Sequence, residues 1–155
     1  MVCLGNTCRS PMALAVAVAM VDRAGICEAV AVTSFGTACY HEGEPADPRA
    51  DAALRRGGWP AGGHRARQLR AADLTTADLV LCADRSNLAA VRRLSPAAVP
   101  DPRIRLLRSY DPDSSSGDDE IPDPWLGGNA EYDHALALIV GSCRRLVDSL
   151  ARREG

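Results

Sequence analysis

The residues best suited to chemistry stand at the start of the chain. Cys3-Leu4-Gly5-Asn6-Thr7-Cys8-Arg9-Ser10 places a thiol six positions before a guanidinium, with Gly-Asn between them. The thiolate is the nucleophilic form of cysteine. A ring of inward-pointing N–H groups leading into a helix N-terminus favours an anion there. Gly5 lets the backbone turn tightly and approach a ligand, and Asn6 is a residue type that tolerates the left-handed conformation. The planar fork of Arg9 can hold two phosphate oxygens. The spacing alone carries little weight: six cysteines and 18 arginines in 155 residues give on the order of 0.7 chance matches. The placement says more. A strand end, a Gly-Asn turn, Arg and then Ser-Pro opening a helix is the arrangement in which ligands sit beyond the carboxyl ends of parallel strands. Cys3 is therefore expected to attack phosphorus, with Leu4, Gly5, Asn6, Thr7, Cys8, Arg9 and Ser10 as the phosphate cradle. Ser10 is expected to cap the helix and to donate to Cys3. On local physics the alternative is a plain glycine turn with Cys3 and Cys8 as small core residues.

A second group lies far along the chain. Asp111 to Asp123 (DPDSSSGDDEIPD) holds six acidic residues and no basic one. Asp111 to Glu120 reads as a solvated acidic loop. Asp123 differs, because Pro124-Trp125 supplies a stiff turn and an aromatic wall; it is the candidate proton donor. Tyr40, taken by itself, reads as an ordinary exposed tyrosine. His64, alone before Arg-Ala-Arg, is not expected to act as a base.

These groups need elements to place them. Ser10-Pro11 reads as cap plus proline opening a helix to about Arg23, ended by Gly25. Cys27 to Ser34 is β-rich and reads as a strand; Gly36 to Ala46 reads as a loop. Asp47-Pro48 repeats the cap signal for a helix to about Arg56. The run Ala77 to Ala83 (ADLVLCA) is apolar throughout, as in a strand covered on both faces. Asp84 caps the helix RSNLAAVRRL, Arg103 to Leu107 is a further strand, and Ala130 to Arg152 is a long amphipathic helix. The alternation predicts an α/β fold: an open four-stranded parallel sheet with helices on both faces and the phosphate loop after strand 1. Strand 1 is expected to be shortened, since only Met1 and Val2 precede Cys3. One domain spanning 1–155 is expected.

Composition excludes several classes. Net charge is −2, and every basic residue is Arg, so nucleic acid is not an expected partner. No apolar run reaches the ~18–20 residues that span a bilayer. The apolar segment Met12 to Val21 follows Arg9-Ser10-Pro11 and reads as a buried helix, not as a leader core. The cysteines show no CxxC spacing, and His41, His64 and His134 form no ligand pattern with them, so neither metal nor cofactor is expected. Reduced thiols suggest a cytoplasmic protein.

The segment VCLGNTCRSPMA closely resembles the signature of the low-molecular-weight protein tyrosine phosphatases, as an actinobacterial-type member. TSFGT, HEGEPADPRA, HRARQL, ADLVLCADRSN, LLRSYDP and IPDPW also resemble family segments, in family order. The resemblance implies a phosphorylated protein or peptide as substrate, Cys3 as nucleophile, Arg9 as phosphate ligand and Asp123 as general acid and then base. It implies that Asn6, Ser10, Ser34 and His64 hold the loop in shape, and that Tyr40 and Trp125 flank the substrate cleft. It makes Cys8 a partner able to trap the nucleophile as a disulfide. Three features depart from the family pattern. Thr7 replaces an aliphatic residue and resembles the protein-arginine phosphatases of the same fold. Phe35 replaces a small residue, and Leu126 stands where many members have a second aromatic; both are expected to alter the cleft. Thiol-dependent arsenate reduction, with Cys82 as a further redox cysteine, and a non-catalytic phosphate-binding module are the other readings.

Overall fold

The structure, a computed structural model, describes residues 1–96, 101–115 and 117–154. Ser116, inside the expected acidic loop, lies outside the described residues. Among the described residues one parallel sheet contains β1 (Val2–Cys3), β2 (Phe35–Gly36), β3 (Val80–Cys82) and β4 (Ile104–Leu106), in the order β2-β1-β3-β4. Val2 pairs with Phe35 on one side and Cys82 on the other, and Val80 to Cys82 pair with Ile104 to Leu106. The helices are α1 (Arg9–Arg23), α2 (Pro48–Arg56), α3 (Ala71–Thr76), α4 (Arg85–Leu94) and α5 (Asn129–Glu154).

Strand periodicity divides the interior in two. Successive side chains point to opposite faces. Val2, Val80, Cys82, Ile104 and Leu106 enter one core with Leu74 of α3 and Val91 of α4. Cys3 and Leu81 enter the other with Met12, Val16, Leu54, Tyr132, Ile139 and Leu146 from α1, α2 and α5. Both faces of β3 are therefore apolar, which is why ADLVLCA shows no alternation. Each aliphatic side chain so buried stabilises by ~1.5–3 kcal/mol. No helix among the described residues is long and apolar enough to cross a membrane.

The start of α2 follows the sequence signal. Asp47 Oδ1 accepts from the Arg49 N–H at 2.8 Å, with Pro48 at the first helical position. Asp84 likewise caps α4, accepting from the Asn87 N–H at 2.7 Å. Two expectations are corrected and one helix is new. The strand expected at Cys27 to Ser34 is a turn followed by irregular chain: the Ala29 and Val30 N–H groups both donate to the Ile26 carbonyl, and strand pairing begins only at Phe35. A parallel ladder needs a partner, and β1 offers two residues. Its last rungs are the Phe35 N–H to the Met1 carbonyl at 2.9 Å and the Met1 amino group to the Thr33 carbonyl at 2.7 Å. Ala31 and Val32, β-prone by type, have no β1 residue opposite them. Second, Ser10 is not the cap of α1. The helix begins at Arg9, Cys8 holds the cap position without a side-chain bond, and Pro11 still sits in the first turn, where a missing N–H leaves no bond unmade. The new helix, α3, lacks Gly or Pro punctuation and has no counterpart in the sequence reading; the Arg70 N–H to Asp73 Oδ2 bond at 2.7 Å holds its first turn.

Candidate active site

The loop after β1 turns its carbonyls outward. The Cys3, Leu4, Thr7 and Cys8 carbonyls accept from the N–H groups of Thr37, Ala38, Asp47 and Met12 at 2.8–3.2 Å. The Asn6 carbonyl accepts from His64 Nε2 at 2.7 Å. In a trans peptide the C=O of one residue and the N–H of the next point in opposite directions. Five carbonyls turned into the protein body therefore turn the N–H groups of Leu4, Gly5, Thr7, Cys8 and Arg9 the other way. Those five residues, with Cys3, line one cavity of about 500 Å³. The result is a concave ring of donors opening onto the start of α1, an anion site by geometry.

Asn6 fixes that shape. At φ 57° it is the only non-glycine residue with positive φ among the described residues, and it is fully buried. Its Nδ2 donates to Ser10 Oγ at 2.8 Å and to Ser34 Oγ at 3.0 Å, and its Oδ1 accepts from the Arg67 N–H at 2.9 Å. Ser10 Oγ lies 3.0 Å from Cys3 Sγ. Asn6 donates to this hydroxyl, whose own hydrogen has two acceptors in reach, the Cys3 sulfur at 3.0 Å and the Phe35 carbonyl at 3.3 Å. His64 must carry its proton on Nε2 to serve the Asn6 carbonyl, and burial pushes its pKa below the ordinary value of 6.5. A neutral ring suffices for that bond. The structure thus brings Asn6, Ser10, Ser34 and His64 together around the loop.

Arg9 closes the ring from inside the protein, its side chain only 4% exposed. Nη1 donates to Asp84 Oδ2 at 2.6 Å and to the Ile121 carbonyl at 3.0 Å; Nη2 donates to Asp123 Oδ2 at 3.0 Å. The Ile121 N–H in turn donates to the Ala83 carbonyl at 2.7 Å, which pins the approach to Asp123 beside the end of β3. Asp84 has a role here that its sequence did not show. Its signal was that of a helix cap, and one carboxylate does both jobs: Oδ1 caps α4 and Oδ2 orients Arg9. The Asp123 side chain is about half exposed and sits at the cavity wall, with Oδ1 accepting from the Trp125 N–H at 3.2 Å.

The remaining walls are Tyr40, His41, Trp125 and Leu126. Tyr40 is a wall residue although largely exposed. His41 is not among the sequence candidates for the cleft; its ring lies 5.4 Å from that of Trp125, and its Nδ1 is 2.7 Å from Glu44 Oε2. A Cβ at position 5 would come within 2.9 Å of the His41 ring, so it is this wall, and not a positive φ, that favours glycine there. Leu126 is 96% exposed. The expectation for Phe35 is corrected: it packs on the core opposite Cys3, under the Arg67 guanidinium, and does not line the cavity.

Of the other thiols, Cys27 and Cys39 are exposed, and Cys8, Cys82 and Cys143 are buried. Cys8 touches Tyr132 Oη at 3.2 Å, and burial pushes its pKa up to about 11. Cys82 lies in the core opposite Cys3, its pKa pushed up to about 12 by burial. A disulfide relay from Cys3 to Cys82 would have to pass through the sheet. No three His, Cys, Asp or Glu side chains among the described residues cluster so as to hold a metal ion.

The family model described as low molecular weight phosphotyrosine protein phosphatase matches residues 1–154. A low molecular weight protein-tyrosine-phosphatase of Streptomyces coelicolor is 44% identical over 138 residues, covering 89% of this chain and 84% of the relative. The low molecular weight protein-tyrosine phosphatase A of Mycobacterium bovis is 38% identical over 152 residues, covering 98% and 90%. Among solved structures, the drosophila arginine phosphatase superposes with a TM-score of 0.85 at 30% identity, covering 96% of this chain and 94% of that one.

Proposed function

The chain belongs to the low molecular weight phosphotyrosine protein phosphatase family of phosphoric monoester hydrolases, and we propose on that premise that it hydrolyses phosphotyrosine in proteins or peptides through a phosphorylated Cys3. The observation that carries this reading is the convergence of Cys3 Sγ, the outward-carbonyl loop, Arg9 and Asp123 on one cavity. The phosphoryl group enters with its oxygens on the loop N–H groups and the Arg9 fork. The guanidinium end now bonded to Asp123 then turns to phosphate. Cys3 sulfur displaces the phenolic oxygen; the S–P bond forms as the P–O bond breaks, and the Asp123 carboxyl gives its proton to the departing phenolate. Ser10 Oγ, 3.0 Å from the sulfur, stabilises it as nucleophile and later as leaving group. Water then attacks phosphorus, the Asp123 carboxylate takes its proton, and inorganic phosphate leaves with the thiolate restored. Donors fixed in place before the reaction stabilise the charge on the equatorial oxygens at no reorganisation cost. Turnover of p-nitrophenyl phosphate, lost in Cys3→Ser, is the first test; a Cys3→Ser protein that still turns over would overturn the reading.

A second reading has its own support. Thr7 lines the cavity and is nearly buried, and a hydroxyl facing the attacked group suits the polar guanidinium of phosphoarginine. The drosophila arginine phosphatase shares the fold over nearly the whole chain. Comparing kcat/KM for matched phosphotyrosine and phosphoarginine peptides decides between them. Tyrosine specificity predicts preference for the first, widening in Thr7→Ile; preference for phosphoarginine, reversed by Thr7→Ile, establishes the second.

A further inference from the structure

Arg49 does not line the cavity, yet it joins the two halves of the site. It sits in the first turn of α2. Its Nε and Nη2 bind both oxygens of Asp47 at 3.0 and 2.8 Å, and Asp47 is tied through its own N–H to the Thr7 carbonyl at 2.8 Å. The base of the arginine is thereby fixed to the phosphate loop. Its Nη1 reaches the opposite wall. With one hydrogen for each, it donates to the Trp125 and Gly127 carbonyls, both at 3.0 Å. The guanidinium also lies 5.7 Å from the Trp125 ring centre and 4.9 Å from that of Tyr132, whose hydroxyl touches Cys8. The Trp125 N–H bonds Asp123 Oδ1. One side chain therefore sets the segment from Asp123 to Gly127 against Thr7 and Cys8.

This matters because the other anchor of Asp123 is temporary. Arg9 Nη2 holds Asp123 Oδ2 at 3.0 Å, and that donor is claimed by the phosphoryl group when substrate binds. The Trp125 N–H and the strap behind it, with the Ile121 N–H to Ala83 carbonyl bond on the other side, then keep the carboxyl in place. We propose that Arg49 is a positioning residue: it holds the Asp123 loop over the phosphate loop, so that the carboxyl meets the leaving oxygen while Arg9 serves the phosphate. The inference rests on the phosphatase reading above. The fork geometry is essential to it. Lysine supplies one compact ammonium and cannot span a carboxylate and two carbonyls at fixed angles.

The test exploits leaving-group chemistry. A phenolate that departs readily needs little help from an acid, whereas an unactivated phenolate needs much. The readout is the ratio of kcat/KM for 2,4-dinitrophenyl phosphate to that for phenyl phosphate. General acids contribute ~10²–10⁴-fold, and misplacing a catalytic group by about 1 Å can cost 10²-fold. Asp123→Ala sets the full effect on the ratio. Arg49→Ala and Arg49→Lys are each expected to raise the ratio by roughly tenfold or more. In the Asp123→Ala background, either change is expected to leave the ratio where Asp123→Ala alone put it, because a residue acting through Asp123 has nothing left to position. If Arg49→Ala does not fold by circular dichroism, Arg49→Lys carries the same comparison. An unaltered ratio in Arg49→Lys, or a rise that persists undiminished without Asp123, overturns the inference alone. An unvaried chain that cleaves neither ester overturns the phosphatase reading and this inference together.

Discussion

Replacing Asp84 with alanine should damage stability and activity at once. The Arg9 guanidinium is 4% exposed and Asp84 21% exposed, with 2.6 Å between their nearest atoms. Removing one partner of a buried pair costs about 3–5 kcal/mol. The partial exposure of Asp84, and the Ile121 carbonyl and Asp123 carboxylate that stay on the guanidinium, reduce that to roughly 2–3 kcal/mol. Loss of the cap on α4, where Asp84 Oδ1 accepts from the Asn87 N–H, adds about 1 kcal/mol. The sum, about 3–4 kcal/mol, is a large share of a total stability near 5–15 kcal/mol. At this length it lowers the melting temperature by roughly 6–16 °C. Asp84→Asn keeps the volume but has one oxygen for two donors: if that oxygen keeps the cap, the amide NH2 faces Arg9 Nη1, so the change should retain the cap and still lose the Arg9 pair, about 2–3 kcal/mol. Turnover of p-nitrophenyl phosphate should fall on the order of 10²-fold in Asp84→Ala, because Arg9 loses its shortest anchor, the 2.6 Å bond to Asp84, and is aimed less closely at the phosphate. Urea titration at constant m-value measures the first effect, and steady-state kinetics the second. An Asp84→Ala protein within about 0.5 kcal/mol of the parent, or one with full turnover, refutes the assignment of Asp84 as the support of Arg9.

Further outcomes follow from the loop and its neighbours. Asn6→Gly keeps access to φ 57° but loses the bonds to Ser10, Ser34 and Arg67, so its loss of turnover isolates the network; Asn6→Ala adds about 1–2 kcal/mol of backbone strain and should unfold at lower urea. His64 has a folded pKa below its unfolded 6.5. The unfolded chain therefore binds the proton more readily, and this contribution to stability is intact above pH 6.5 and is lost as pH falls below it, levelling beneath the folded pKa. His64→Gln should flatten that part of a stability–pH curve; an unchanged slope would assign it to other groups. Cys8, with a pKa near 11, and the buried Cys82 and Cys143 should resist iodoacetamide at neutral pH while exposed Cys27 and Cys39 react. Peptide mapping in Cys3→Ser reads this directly, and rapid labelling of Cys8 would contradict the burial described.

Features written in consecutive residues were legible in the sequence. Asp47-Pro48 announced α2, and Asp84 announced α4. ADLVLCA announced a strand covered on both faces, because continuous apolarity reflects burial on two sides. The Cys3 to Arg9 loop, with Gly and Asn at its turn, was readable for the same reason. Features that depend on distant partners were not. The placement of β2 was missed because β-propensity in Cys27 to Ser34 says nothing about whether β1 reaches that far. Ser10 was read as a cap because Ser-Pro is a local signal, whereas its hydroxyl is drawn inward by Asn6 and Cys3. The double duty of Asp84, the wall formed by His41, and the strap from Arg49 to Trp125 each join residues at least 75 positions apart or packed across separate loops, and no spacing rule reports them.

The most direct measurement incubates the Asp123→Ala protein with a phosphotyrosine peptide, quenches with acid and maps phosphate by mass spectrometry. A phosphoryl group on the sulfur of Cys3, absent in the Cys3→Ser protein, is the expected result. Phosphate carried by any other residue, or peptide turnover that continues without Cys3, would contradict attack by that sulfur.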